Sequence, residues 1–595
     1  MRISRTPSGR RLHPVIYLIL ILPVFASCGQ SPAPETDAGQ EYANAMLWHG
    51  GPIITMNTDQ PHAEAVVTSD DGNIVFVGSL ATAQQRFTDA KSFDLNGRTM
   101  MAGFIEQHLH PFLAALTLAI PVVAPEPWEI PGKTWPAAQD ADSYMARLTE
   151  IEADMNNPDE VLWSWGYNNY FHGPLTREML DGISSSRPIV IWHRSVHEFF
   201  LNSVAVEKFG LNQADIDALG TQVVEQSNLE DGHFFEGGLL YLLPIIMTEL
   251  GNAERFESGL RQMVEMLHTK GITAYNEPGA FILEHTIPIY EKVLGADETP
   301  MYSFFIPETK TPLMSAGPEG IVQAVETIAD TFGDSEKVRY FDGHVKMLAD
   351  GAIVSQLMMM RDGYLDGHHG EWIQDPDDLE TISKVFWEAD YQLHIHVNGD
   401  LGLDAVIEIL KRRQAEYPRD DHRTTIVHFA NSAEDQIQEL ADLGVIVSAN
   451  PYYVTGFGER WAEVGLGPER AHAMARLGPV EDAGIPVSFH SDMPIAPADP
   501  LFLVWSAVTR ESLSGNALRP DLAMTLHGSL RAITIEAAYS WGMEDRLGSI
   551  ELGKIANFTI LDENPYDVDP NHLKDINVYA TVFEGQLFPV PDQAR

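Results

Sequence analysis

The chain has 595 residues, of which 44% are hydrophobic and 21% charged, and a formal net charge of −47. That length supports a large core plus a second module, and that composition excludes a disordered or fibrous chain. So acidic a surface repels phosphate backbones, which excludes nucleic acid as a partner. We read the acidity as a source of solubility.

In chain order, Arg2, Arg5, Arg10 and Arg11 precede an apolar run at 15–26. The run is shorter than the roughly 20 residues a membrane-spanning helix needs. Its anatomy is that of a secretory signal. It ends in Phe25-Ala26-Ser27-Cys28, which resembles a bacterial lipobox, and Cys28 is the chain's one cysteine. A lone cysteine in an exported protein calls for a use. The expectation is a signal peptide over 1–28, lipidation of Cys28 and anchoring on the periplasmic side of a bacterial membrane, or otherwise secretion. Residues 29–42, rich in Ser, Pro, Ala and acidic residues, form a tether.

Short alternating runs at 45–48, 53–56, 65–68 and 74–77 follow, with Asp70-Asp71-Gly72-Asn73 as a hairpin turn. Similar runs at 556–561 and 578–584 close the chain. Neither end is long enough for its own core. We expect them to pair into one small β-sandwich module made of 43–102 and 544–590. Between them, at 103–543, strand-like runs alternate with helical patterns. The strands are expected at 103–108, 272–276, 302–306, 345–348, 392–396, 425–428, 445–449 and 487–490. Eight such units predict an α/β fold, a (β/α)8 TIM barrel. The gap after the first strand is too long for one crossover and holds extra runs at 161–165 and 189–192. An insertion over about 116–250 accounts for it.

His108 and His110 close the apolar run 100–105. Residues two apart on a strand point to one side, so the two imidazoles can chelate one divalent cation. Alone, such a triplet is as well explained by two surface histidines. Its weight comes from Lys346, His396, His428 and Asp492, which fall at or just after other predicted strand ends. That is the face where such barrels carry their active sites. Lys346 lies in an apolar run, where an unpaired ammonium is costly. Pairing with Asp350 is one solution. Reaction of the neutral amine with carbon dioxide, giving an anionic carbamate able to bridge two metals, is the other. Asp492 could ligate a metal and take a proton from bound water, whose pKa a metal lowers to about 7. An Asx turn before Pro494 is its alternative role.

Together these motifs resemble the amidohydrolase superfamily, in the branch that includes N-substituted formamide deformylases. Gly103-Phe104-Ile105-Glu106-Gln107-His108-Leu109-His110 is similar to the family's first-strand motif. Val345-Lys346 through Asp350-Gly351-Ala352 resembles its carboxylated-lysine strand. His396-Val397-Asn398-Gly399-Asp400 resembles the fifth-strand motif, His428 the sixth-strand histidine and Ser491-Asp492-Met493-Pro494 the eighth. The run from Gly548 to Ala556 resembles the return into the β module. Glu106 stands where Asp is usual, and Asn276-Glu277 where His-Asp is common. The resemblance implies one or two divalent ions, zinc by the donor set. His108, His110, Lys346 and Asp492 would hold one, and carboxylated Lys346, His396 and His428 the other. It further implies Asp492 as general base, His197 in the pocket of a small-molecule substrate, and hydrolysis of a non-peptide C–N bond by metal-bound hydroxide.

Two other readings stand beside this one. A mononuclear deaminase of the superfamily usually carries Glu three residues after the fifth-strand histidine; here Gly399 stands there and Lys346 is present. A non-catalytic solute-binding lipoprotein on the same fold would tend to lose ligands, and the whole set remains.

Overall fold

A computed structural model describes residues 44–280 and 282–591. The expected leader, Cys28 and tether lie outside the described residues. Among the described residues no helix is long and apolar enough to cross a membrane.

The two chain ends meet in one eight-stranded sheet. Its order is Gln586–Pro589, Val578–Phe583, Phe558–Leu561, Thr99–Ala102, Met46–Ile54, His62–Thr68 and Ile74–Gly78, and Lys91–Asp94 also pairs with Met46–Ile54. Trp48, Ile53, Val66, Met100, Phe558, Ile560 and Val582 form its core. The runs expected at 45–48 and 53–56 are one bent strand. Its first half pairs with Lys91–Asp94 and its second half with Thr99–Ala102. Gly50 and Gly51 make this fork possible. A Cβ on Gly50 would fall 2.0 Å from Asp94 Oδ1, and one on Gly51 2.1 Å from the Arg98 carbonyl oxygen. In its hydrogen bonding the expected sandwich is therefore a single forked sheet.

The apolar run 100–105 also divides. Thr99–Ala102 belongs to the forked sheet, and the next strand starts at Phe104. Gly103 is the joint, packed so closely on Thr273 that a Cβ would lie 2.2 Å from its Oγ1.

All eight runs expected as the central strands are strands. They are β1 (Phe104–Glu106), β2 (Ile272–Ala280), β3 (Tyr302–Pro307), β4 (His344–Leu348), β5 (Gln392–Val397), β6 (Thr425–His428), β7 (Ile446–Ala449) and β8 (Val487–Phe489). They form two parallel arcs. One runs β1-β2-β3 and ends on Val338–Tyr340; the other runs β4-β5-β6-β7-β8. Isolated parallel bridges span both seams, Glu308 to Lys346 and Leu109 to Met493. Leu109, Glu308 and Met493 lie just past the carboxyl ends of their strands, and Lys346 in the middle of β4. Helices cover the arcs for an ordinary reason. In Pro376–Glu388, Asp375 caps the N-terminus and Leu379, Ile382, Phe386 and Trp387 make one buried face. That face joins a core with Val345, Met347, Leu393 and Ile395 of β4 and β5. Losing one such large side chain, as in Phe386→Ala, costs about 3–5 kcal/mol.

Between β1 and β2 the chain makes a five-stranded sheet, ordered Ser227–Asn228, His233–Phe235, Glu198–Leu201, Ile189–His193 and Leu162–Tyr167. The extra runs at 161–165 and 189–192 are its parallel pair. Arg194, fully buried, pairs with Glu126 and donates to the Ile495 carbonyl (2.6 Å) and the Tyr452 hydroxyl (3.2 Å). This holds Ser195, Val196 and His197 beside the loop that follows β8.

Candidate metal centre

His108 and His110 flank the bridging residue Leu109, just beyond β1. Backbone bonds across the seam fix them: Asp492 N donates to His108 O at 2.9 Å, and His110 N to Met493 O at 2.9 Å. Glu106 adds a clamp, its Oε1 accepting from the backbone N–H of Ser491 (2.9 Å) and of His108 (3.2 Å). The side chains then converge. His108 Nε2 lies 3.2 Å from His110 Nε2, and Asp492 Oδ1 lies 3.4 Å from the first and 3.3 Å from the second. A tetrahedral zinc with donors at about 2.0–2.1 Å has donor–donor edges of about 3.3–3.4 Å. The three atoms therefore fit one face of such a site.

Asp492 Oδ2 looks the other way, to His428 Nδ1 at 3.7 Å. His396 lies beside His428, with ring centroids 4.3 Å apart, and its Nε2 is 3.0 Å from Asn398 Nδ2. Lys346 is buried and its Nζ has no hydrogen-bond partner. The pairing with Asp350 is not made. Asp350 instead accepts from the backbone N–H of Asn398, Met359 and Gly399. All six expected ligands line one cavity of about 430 Å3. Two sets of three donors lie close enough together to share one ion, His108 with His110 and Asp492, and His108 with His428 and His490; His396 is in neither. His197 lines the same cavity, exposed, with Nδ1 3.2 Å from Glu236 Oε2.

The backbone is unusual at two of these positions. Asp492 has φ 59° and His428 φ 79°, in the left-handed region that side chains disfavour. Such residues cost on the order of 1–3 kcal/mol and cluster at functional sites.

Charge follows burial. Burial pushes the Lys346 ammonium down to about 7, against the attraction of Asp492. Burial, reinforced by neighbouring cationic groups, holds His108 and His428 well below the usual histidine range and His396 at about 3. These rings are neutral and able to donate lone pairs. At His110 burial also opposes protonation, but hydrogen bonds and charge from Asp492 and Glu277 outweigh it and raise the ring to about 9. The carboxylates thus call for positive charge between the rings, which a proton or a divalent cation supplies. Burial likewise raises Glu106 to about 8, opposed by its two backbone donors.

Three neighbours had no clear signal in the sequence. Glu277, from β2, accepts from His110 Nδ1 at 3.1 Å; its only hint was its place in the Asn276-Glu277 pair. Tyr453 holds its hydroxyl 3.2 Å from His428 Nδ1. His490, fully buried, sets its Nε2 3.3 Å from the same nitrogen. It stands two residues before Asp492, just past the end of β8.

Residues 91–588 match the sequence profile of the amidohydrolase family. The chain belongs to that family. This amidohydrolase is 26% identical over 556 residues to an N-substituted formamide deformylase of Arthrobacter pascens, covering 90% of this chain and 96% of the relative. It is 23% identical over 586 residues to the protein LONG AFTER FAR-RED 3 of Arabidopsis thaliana, covering 97% and 96%. A crystal structure of an uncharacterized metal-dependent hydrolase from Pyrococcus horikoshii aligns with a TM-score of 0.68 at 20% identity, covering 89% of this chain and 99% of that one. That likeness shows a shared α/β fold.

Proposed function

We propose that this amidohydrolase hydrolyses a non-peptide C–N bond, an amide or N-acyl amine, at a divalent metal centre. The observation that carries the reading is the convergence of His108, His110 and Asp492 at tetrahedral edge lengths, in a chain of this family. The formamide deformylase activity named for the Arthrobacter relative supports the choice of bond. His108, His110 and Asp492 hold one ion. His396, His428 and Lys346 hold a second once Lys346 is carboxylated. The donor set suits zinc. When bound, the metal supplies Lewis acidity toward a carbonyl oxygen and acidifies water.

The chain's own residues do the rest. Lys346 reacts with carbon dioxide as the neutral amine, a form that burial favours by pushing its ammonium down to about 7; its nitrogen bonds to the carbon and releases one further proton. Asp492 uses Oδ1 toward the two histidines. Its Oδ2, facing His428, takes a proton from the attacking water and passes it to the departing nitrogen. His197 contacts the substrate from the cavity wall. We also read the two arcs as halves of one (β/α)8 barrel over 103–543 with an insertion at about 116–250, and 43–102 with 544–590 as the β module. The bridges across both seams support this. Export and lipidation at Cys28 rest on the leader's sequence, and loss of palmitate labelling in Cys28→Ala tests them.

The decisive experiment measures amine release from a panel of N-formyl and N-acyl amines. The zinc-loaded enzyme is expected to be active, and the chelated enzyme inactive until zinc returns. A protein that holds zinc yet hydrolyses none of the panel, or one as active after chelation, overturns the reading.

A further inference from the structure

His490 is not needed by the ligand scheme above, yet it is the most completely buried of the neighbours. Its Nδ1 lies 2.9 Å from Ser448 Oγ, and Ser448 Oγ lies 2.5 Å from Gln107 Oε1. All three side chains are buried. An amide oxygen only accepts, so the Ser448 proton points to Gln107. The hydroxyl's lone pairs then receive the proton of His490 Nδ1. His490 Nε2 is left with a lone pair, and it faces His428 Nδ1 at 3.3 Å. A proton on that His428 nitrogen completes the series. The protons then run one way: His428 Nδ1 to His490 Nε2, His490 Nδ1 to Ser448 Oγ, and Ser448 Oγ to Gln107 Oε1.

We propose that Gln107, Ser448 and His490 form a hydrogen-bond relay that fixes the tautomer of His428, holding its proton on Nδ1 and leaving the lone pair on Nε2 free to ligate. The inference rests on His428 being a ligand, as proposed above. The direction is fixed at the Gln107 end, and ligation through Nε2 would require it at the other. The amide oxygen sets it at Gln107. At His428, a neutral ring that coordinates through Nε2 must carry its one proton on Nδ1. Ligating histidines commonly donate their second ring N–H in this way, which fixes ring orientation and raises basicity. Here the acceptor is a second neutral histidine, and the polarity is set by a side chain beyond β1, two elements away. Tyr453, its hydroxyl 3.2 Å from His428 Nδ1, and Asp492 Oδ2, at 3.7 Å, are the competing acceptors. His490 is thus a positioning residue.

The test is equilibrium zinc affinity, read by chelator competition, with metal content and unfolding measured on the same samples. His490→Asn is expected to weaken zinc binding about 10- to 100-fold while metal content at saturation stays that of wild type. Ser448→Ala, a small change that keeps the fold if His490→Asn does not, is expected to show a smaller loss in the same direction. Ser448→Thr, which keeps the hydroxyl, is expected to restore affinity. Tyr453→Phe is expected to leave it unchanged. Loss of a bound equivalent in His490→Asn would make His490 a ligand and overturn the relay. Unchanged affinity in His490→Asn and Ser448→Ala overturns it too, as does a larger loss in Tyr453→Phe. If the wild type itself binds no zinc, it is the metal-centre reading that fails.

Discussion

Two buried cations in this chain are handled in opposite ways. Arg510, 1% exposed, ends the helix Pro500–Thr509 and is saturated by carbonyls: Nε by Leu518, one terminal nitrogen by Ala475, the other by His472 and Met474, all at 2.7–2.9 Å. Lys346, also 1% exposed, has no partner at Nζ. Burial lowers both, Arg510 to about 10 and Lys346 to about 7. The histidines divide alike. His172 is fully served, its Nε2 donating to the Ala138 carbonyl at 2.7 Å and its Nδ1 accepting from Asn168 N at 3.0 Å. His108 Nδ1 has no partner. A buried polar group with its bonds filled is structure. Lys346 and His108, left open where six ionisable side chains line one cavity, are placed for chemistry.

The largest expected effect strikes the open side. Asp492→Asn keeps the shape but removes the proton acceptor, and the turnover number is expected to fall about 10²- to 10⁴-fold. Retention of more than a tenth of the wild-type rate would remove Asp492 from its proposed role. Next comes the filled side. Arg510→Met leaves the carbonyls of Leu518, His472 and Met474 without donors, while that of Ala475 keeps the Leu477 N–H, and at about 1–3 kcal/mol for each buried group left unpaired the fold should lose at least about 3 kcal/mol. Urea unfolding measures this, and a loss under about 1 kcal/mol would mean that saturation was not stabilising.

How much of this was legible in the sequence follows the same line. Strand positions were legible, because β1 to β8 are apolar runs and periodicity reports burial. The open groups were legible too: His108 and Lys346 are residue types whose burial without partners is costly. The fork at Gly50-Gly51 was not, since two short runs and one bent strand have the same pattern. Nor was the division at Gly103, where one apolar run serves two layers. Glu277, Ser448 and His490 were missed because their meaning is relational. Ser448 looks like any strand serine until Gln107, 341 residues away, is seen beside it.

Acid should act on the filled side as well as the open one. His172 is lowered from 6.5 to about 4 by burial. Between pH 6.5 and 4 the unfolded chain binds a proton that the fold does not, so stability falls as pH drops through that window. At about 1.4 kcal/mol per pH unit, this one ring costs roughly 2 kcal/mol by pH 5. Unfolding of wild type and His172→Asn at pH 7 and 5 measures it; equal pH dependence in the two proteins would show that His172 is not the source. Lys346→Met should do less. It removes a buried amine that has no hydrogen-bond partner, so the metal-free protein is expected to be within about 1 kcal/mol of wild type or more stable. A loss above about 2 kcal/mol would place Lys346 with Arg510.

The smallest effect belongs to the cavity wall supplied by the chain between β1 and β2. His197 is exposed, and the Glu236 carboxylate is its side chain's hydrogen-bond partner. Little folding energy is stored there, so His197→Ala should change stability by no more than about 0.5 kcal/mol. What it loses is a contact to substrate. A hydrogen bond is worth about 0.5–1.5 kcal/mol net, so kcat/KM should fall roughly two- to tenfold, carried by KM with kcat unchanged. That split is the informative part. A residue that only binds moves KM; a residue that acts with the metal centre moves kcat. A fall in kcat at constant KM would move His197 across the divide, to stand with Asp492 among the groups the fold leaves open for chemistry.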